Sequence, residues 1–135
     1  MSRMMFVNLP VKDLDRSMAF FKALGFEFNP QFTDETAACM IVSDTSFAML
    51  LTHPKFAKFT PKPVADAKAA TEVLTAISFE SREKVDAIVD AAVKAGGREF
   101  REPEDHGFMY QRSIEDLDGH IWEVFWFNPD AVAAA

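Results

Sequence analysis

The sequence predicts an α+β fold built from two tandem β-α-β-β-β modules, and three observations carry that prediction. The order of strand-like and helix-like segments runs once through residues 1–52 and again through 73–128, a proline-containing linker at 53–72 separates the copies, and the second copy closes on a hairpin within 102–127. Helices on one face of each mixed sheet leave the other faces free to curl into a common cup, within one chain or by exchange between two. The whole of 1–135 is expected to be a single domain, a length sufficient to bury a core without disulfides.

The first strand is expected at 4–9. Asp13 is suited to cap a helix on which Leu14, Met18 and Phe21 recur at helical spacing, and Gly25 stands where a left-handed residue ends one. Strands follow at 26–31, 37–42 and 46–52, the last two joined by the turn Ser43-Asp44-Thr45. In the second copy a strand at 73–79 leads to Ser81 as a helix cap. Val85, Ile88, Val89, Ala92 and Val93 mark one apolar face of that helix, and Gly96-Gly97 end it. A short strand at 98–101 precedes the hairpin, with strands at 107–113 and 120–127 around the turn Asp116-Leu117-Asp118-Gly119. The repeat aligns Lys22-Ala23-Leu24-Gly25 with Lys94-Ala95-Gly96-Gly97, Phe6 with Leu74, and Leu50 with Glu123.

Composition narrows the function. A net charge of −7 spread along the chain offers no basic stripe to a phosphate backbone, so nucleic acid is not an expected partner. No uncharged apolar run approaches the roughly 20 residues of a membrane span, and the single Cys39 suits a reducing compartment, so the expected setting is cytoplasmic with no membrane partner. Cys39 falls on a strand and reads as a buried apolar residue rather than a nucleophile. The chain holds 14 phenylalanines, enough to fill a core or to line an apolar pocket. Exposed rings at Phe56, Phe59, Trp126 and Phe127 would favour a homodimer. Nucleophile-elbow, Walker, Rossmann and H-E-x-x-H motifs are absent from the sequence.

VKDLDRSMAFF opening the first helix and DLDGHIWEVFW closing the second module resemble the vicinal oxygen chelate superfamily, which groups glyoxalase I, fosfomycin- and bleomycin-resistance proteins and extradiol dioxygenases. The resemblance covers essentially the whole chain. It implies a small-molecule site in the cup and, in metal-using members, four ligands from the first and last strands of the two modules. Those positions fall on Phe6, Leu50, Leu74 and Glu123, so three of the four are hydrocarbon. A catalytic metal site usually draws on about three protein ligands. The resemblance therefore implies metal-independent binding or sequestration of a small apolar or aromatic ligand, with no cofactor. The alternative it leaves is a lyase or dioxygenase with one divalent metal at Glu123, acting on a small carbonyl, glutathione adduct or diol.

Strand alternation is expected to bring Phe6, Asn8, Leu50, Thr52, Leu74, Ala76, Ser78, Ile121, Glu123 and Phe125 to the cup face. Glu123, a carboxylate among hydrophobes, is the leading catalytic or ligand-contacting candidate, serving as a general base or sitting in an ion pair with Arg112. His106, on a loop before Gly107, is the second catalytic candidate, and Tyr110 and Arg112 share a strand face that is a further ligand-binding candidate. No metal-ligating residues are assigned.

Overall fold

The structure, a computed structural model, describes residues 2–133. The chain divides into two compact units, with the break between Ala65 and Asp66, inside the segment read as a linker.

In the first unit, β1 (Met5–Val11) leads to α1 (Leu14–Ala23), then β2 (Glu27–Asn29), a 3-10 turn at Pro30–Phe32, β3 (Ala37–Ile41) and β4 (Ser46–Thr52). The sheet order is β1-β4-β3-β2, with β1 parallel to β4 and the remaining pairs antiparallel. Asp13 caps α1 by accepting from the Arg16 backbone N–H at 3.2 Å, and Gly25, at φ 99°, ends it as expected. Helix α1 buries Leu14, Ser17, Phe20 and Phe21 and packs on β3 and β4. Pro30 has no N–H to give a sheet ladder, and the strand expected at 26–31 is cut short there by the 3-10 turn. Beyond β4, Thr52 caps a short helix α2 (His53–Ala57) with Pro54 in its first turn, so the segment expected to be irregular begins as a helix packed on β1 and β4.

The second unit repeats the topology. It runs β5 (Leu74–Ser78), α3 (Arg82–Lys94), β6 (Arg98–Glu99), β7 (Glu104–Asp105), β8 (Met109–Glu115), β9 (Ile121–Phe127) and α4 (Pro129–Ala133). The order β5-β9-β8-β6 matches the first sheet strand for strand, with β5 parallel to β9 and the short β7 paired to β8. Ser81 caps α3, and Gly96, at φ 108°, ends it. Val85, Ile88, Val89 and Ala92 are buried, while Val93 lies off that stripe and is exposed. The turn between β8 and β9 is built around Asp116. Its Oδ1 accepts from the backbone N–H of Asp118 at 2.9 Å and of His120 at 3.0 Å, and its Oδ2 accepts from the Trp122 indole at 2.9 Å. Burial pushes that carboxyl above its ordinary range, against these donors. Gly119 sits at φ 89°, and a Cβ there would lie 2.8 Å from the backbone N of Lys68, so segment 66–70 closes on the hairpin only because that residue lacks a side chain.

Register corrects the repeat as read from sequence. Phe6 and Leu74 do correspond, each seven residues before its helix cap. Phe6 lies beside Phe47 and Asn8 beside Met49, whereas Leu74 lies beside Ile121 and Ala76 beside Glu123. The counterpart of Glu123 is therefore Met49, one residue from the expected Leu50, and Gly25 corresponds to Gly96 rather than Gly97. A one-residue shift exchanges the faces of a strand. Leu50 is wholly buried with Leu9 and Ala38 on the helix side.

Candidate functional site

In the second sheet, Ile114, Trp122 and Val124 are buried on the side where α3 packs. Alternation sends Gln111, Ser113, Ile121, Glu123, Phe125 and Phe127 to the opposite side. Leu74 and Ala76 of the edge strand β5 join them there, in register with Ile121 and Glu123. This face is apolar at its margin: Leu74 is 58% exposed, and the rings of Phe125 and Phe127 stack at 5.9 Å between centroids.

At the centre of the face is Glu123, whose side chain is 12% exposed. Three side chains donate to its Oε2: the Gln111 amide at 2.6 Å, the Arg101 guanidinium at 3.1 Å and the hydroxyl of Ser113. Arg101 comes from the loop between β6 and β7. It also donates through Nε to Ser113 Oγ at 3.0 Å and through Nη1 to Glu104 Oε1 at 2.6 Å. Hydrogen bonding to Glu104, reinforced by Glu123, holds the guanidinium above its ordinary pKa against the opposing effect of burial, and Glu104 is lowered by the same contact. Oε1 of Glu123 receives no donor from the described residues, and no buried polar side-chain atom among them lacks a partner, so this oxygen faces solvent. The site thus presents a carboxylate fixed through one oxygen, with the other free to accept.

The expected residues divide by face. Leu74, Ala76, Phe125 and Glu123 share this surface. Tyr110 and Arg112 do not: they point to α3, where the Tyr110 hydroxyl donates to Asp86 at 2.6 Å and Arg112 donates to Asp86 at 2.8 Å. Arg112 also forks onto Glu99 at 2.7 and 2.8 Å. The partner of Glu123 is accordingly Arg101, and the expected Arg112 pair is corrected: Arg112 is adjacent in sequence to the residue opposite Glu123, and adjacent residues of a strand face opposite ways. His106 lies on the exposed loop after β7 with Nε2 3.5 Å from Glu104 Oε2, linked to Glu123 through Glu104 and Arg101. In the first unit Phe6, 45% exposed, stacks on Phe47 at 4.7 Å, and Asn8 shares that face. Leu50 and Thr52 belong to the other face, and the Thr52 hydroxyl accepts from Lys55 as a helix cap. Cys39 is buried, and burial pushes its thiol up, as expected of an apolar core residue.

Gln111, Ser113, Arg101 and Glu104 were absent from the expected set. Counting outward from a turn at Asp116–Gly119 pairs Glu123 with Arg112; the hairpin instead closes on Asp116 and His120, and that one-residue difference sets Ser113 opposite Glu123 with Gln111 beside it. Nothing local signals Arg101, which arrives from a loop.

These residues do not fit a divalent ion. Among the described residues no three His, Cys, Asp or Glu side chains converge as ligands. Around Glu123 the neighbours are a guanidinium and two hydrogen-bond donors, and the family positions Phe6 and Leu74 are hydrocarbon. The corrected fourth position is the thioether of Met49.

A family profile described as bleomycin resistance protein-like N-terminal matches residues 3–43. No curated protein matches the chain. Among solved structures, hypothetical protein SA1046 from S. aureus is similar with a TM-score of 0.77 and 29% identity, covering 93% of this chain and 95% of that one. A glyoxalase/bleomycin resistance protein/dioxygenase family enzyme from Burkholderia phytofirmans PsJN gives 0.76 at 17% identity, covering 93% and 99%. A glyoxalase-related enzyme from Fulvimarina pelagi gives 0.75 at 17%, covering 93% and 88%. The first module thus resembles the bleomycin resistance protein-like N-terminal profile, and the chain shares the fold of these glyoxalase/bleomycin resistance/dioxygenase-type structures over 93% of its length.

Proposed function

We propose that the Glu123 face of the second sheet binds a small molecule with an apolar or aromatic body, without a metal ion and without turning it over. The observation that carries this reading is the fixed carboxylate with one unspent oxygen, framed by Leu74, Ala76, Ile121, Phe125 and Phe127. Small-molecule sites combine a largely apolar lining with a few polar groups of set orientation, and this surface has both. The donor set at Glu123 supports binding over metal-dependent lyase or dioxygenase chemistry. Phe6 and Asn8 occupy the equivalent face of the first unit and belong to the same proposal, as do a homodimer and a cytoplasmic setting. No helix among the described residues is long and apolar enough to cross a membrane.

Saturation-transfer NMR with a panel of uncharged aromatic fragments tests the reading. Fragments should bind the native protein, lose binding in Leu74→Arg, which changes an exposed edge residue, and keep it in Val93→Arg on the exposed flank of α3. Binding that survives Leu74→Arg unchanged, or is lost equally in both variants, would refute the assignment.

A further inference from the structure

We propose that Arg101 is the resident cation of this site, its guanidinium standing beside the Glu123 carboxylate in place of a divalent ion, and that it serves as a positioning residue for that carboxylate. The placement is constructed rather than incidental. Nε is directed by the hydroxyl of Ser113, which is wholly buried, Nη1 is engaged by Glu104, and Nη2 reaches Glu123. Ser113 in turn donates to the same Glu123 oxygen, so guanidinium, hydroxyl and carboxylate close a small ring of charge-assisted hydrogen bonds. Gln111 adds a third donor to that oxygen.

A divalent ion bonded to Oε2 would lie about 2–2.6 Å from it, against a guanidinium whose nitrogen is already 3.1 Å away. Two like charges in a half-buried site oppose each other, and the ion would also have to displace Gln111 and Ser113. In register beside Glu123 it would meet Ala76, and next along β5 Leu74, neither with a donor atom. The guanidinium supplies the positive charge and needs no further ligand. Of its five N–H bonds three are spent on Ser113, Glu104 and Glu123, and with its side chain 34% exposed the remaining two can donate to a ligand oxygen.

The test uses the metal and the guanidinium alone, so it does not depend on any ligand of the apolar face. Native protein is titrated calorimetrically with Zn²⁺, Ni²⁺ and Mn²⁺ chlorides, and Arg101→Ala is melted with and without millimolar ethylguanidinium against sodium chloride at equal ionic strength. The expected result is no stoichiometric binding of any of the three ions to native protein, and a melting temperature of Arg101→Ala that is lowered and then recovers with ethylguanidinium. That recovery should vanish when Glu123→Gln is added. Arg101→Lys, which keeps the charge but not the fork, should still exclude the metals and should melt between native and Arg101→Ala; if Arg101→Ala fails to fold, this variant and the native titration decide. One equivalent of metal on native protein that Glu123→Gln abolishes would overturn the proposal. So would an Arg101→Ala protein that melts as the native one does, or one that ethylguanidinium fails to rescue.

Discussion

At the scale of single residues, Glu123 is a hydrogen-bonded hub rather than an isolated carboxylate. Replacing it with Gln keeps an acceptor for some of its donors, and Arg101 retains Glu104, so the loss should be modest. Hydrogen bonds to charged groups contribute about 1.5–3 kcal/mol, and retention of one acceptor should hold the cost of Glu123→Gln to about 1–2 kcal/mol in urea unfolding. A loss near zero would mean that the ring around Oε2 contributes nothing to the fold. Glu123 was legible because a carboxylate between Ile121 and Phe125 contradicts the apolar pattern of its strand. Its partner was not, since Arg101 is 22 residues away on a loop, and the alternative of an Arg112 pair fails because the hairpin register sets Ser113, not Arg112, opposite Glu123.

At the scale of elements, the strongest electrostatic work lies on the face away from the site. Arg112 ties β8 to Glu99 of β6 and to Asp86 of α3, with its own side chain mostly buried. Arg112 holds Glu99 below its ordinary pKa; at Asp86 hydrogen bonding to Tyr110 is the larger cause, with Arg112 next. A carboxylate lowered in the folded state contributes stability above its unfolded pKa and loses it as the pH falls through the folded value. Stability should therefore decline as acid is added below pH of about 4.5, the ordinary value for glutamate, and Glu99→Gln should flatten that decline in urea midpoints measured between about pH 5 and pH 2. An unchanged slope would place the acid sensitivity elsewhere. Arg112→Met strands a largely buried Glu99, and breaking a buried pair costs about 3–5 kcal/mol; with Asp86 half-exposed, about 3 kcal/mol is expected, more than for Glu123→Gln. Gly119→Ala combines a positive φ with a backbone clash at Lys68 and should cost about 2 kcal/mol or more; a neutral effect would contradict the closure of 66–70 on the hairpin. Helix caps at Asp13 and Ser81, glycine stops at Gly25 and Gly96 and strand periodicity were all readable in advance because each is a local rule. The 3-10 turn after Asn29, the helix after Thr52 and the two-residue β7 were not, since tertiary packing decides such short elements.

At the scale of the whole molecule, the repeat of sheet order between the two units shows one β-α-β-β-β plan used twice, with Glu123 in the second unit at the position that Met49 takes in the first. The exposed apolar residues Met5, Phe6, Phe59 and Leu74 motivate the homodimer, for which light scattering at micromolar concentration should give twice the mass of one chain; the mass of a single chain would count against it. Function at this scale rests on the Glu123 face taking a ligand without metal. Backbone amide chemical-shift mapping of ¹⁵N-labelled, metal-free protein titrated with the tightest-binding aromatic fragment tests this most directly. The expected shifts gather at Leu74, Ala76, Gln111, Ser113, Glu123 and Phe125 and are lost in Glu123→Ala. Shifts confined to the α3 side around Asp86 and Arg112, or binding that appears only once a divalent ion is added, would contradict it.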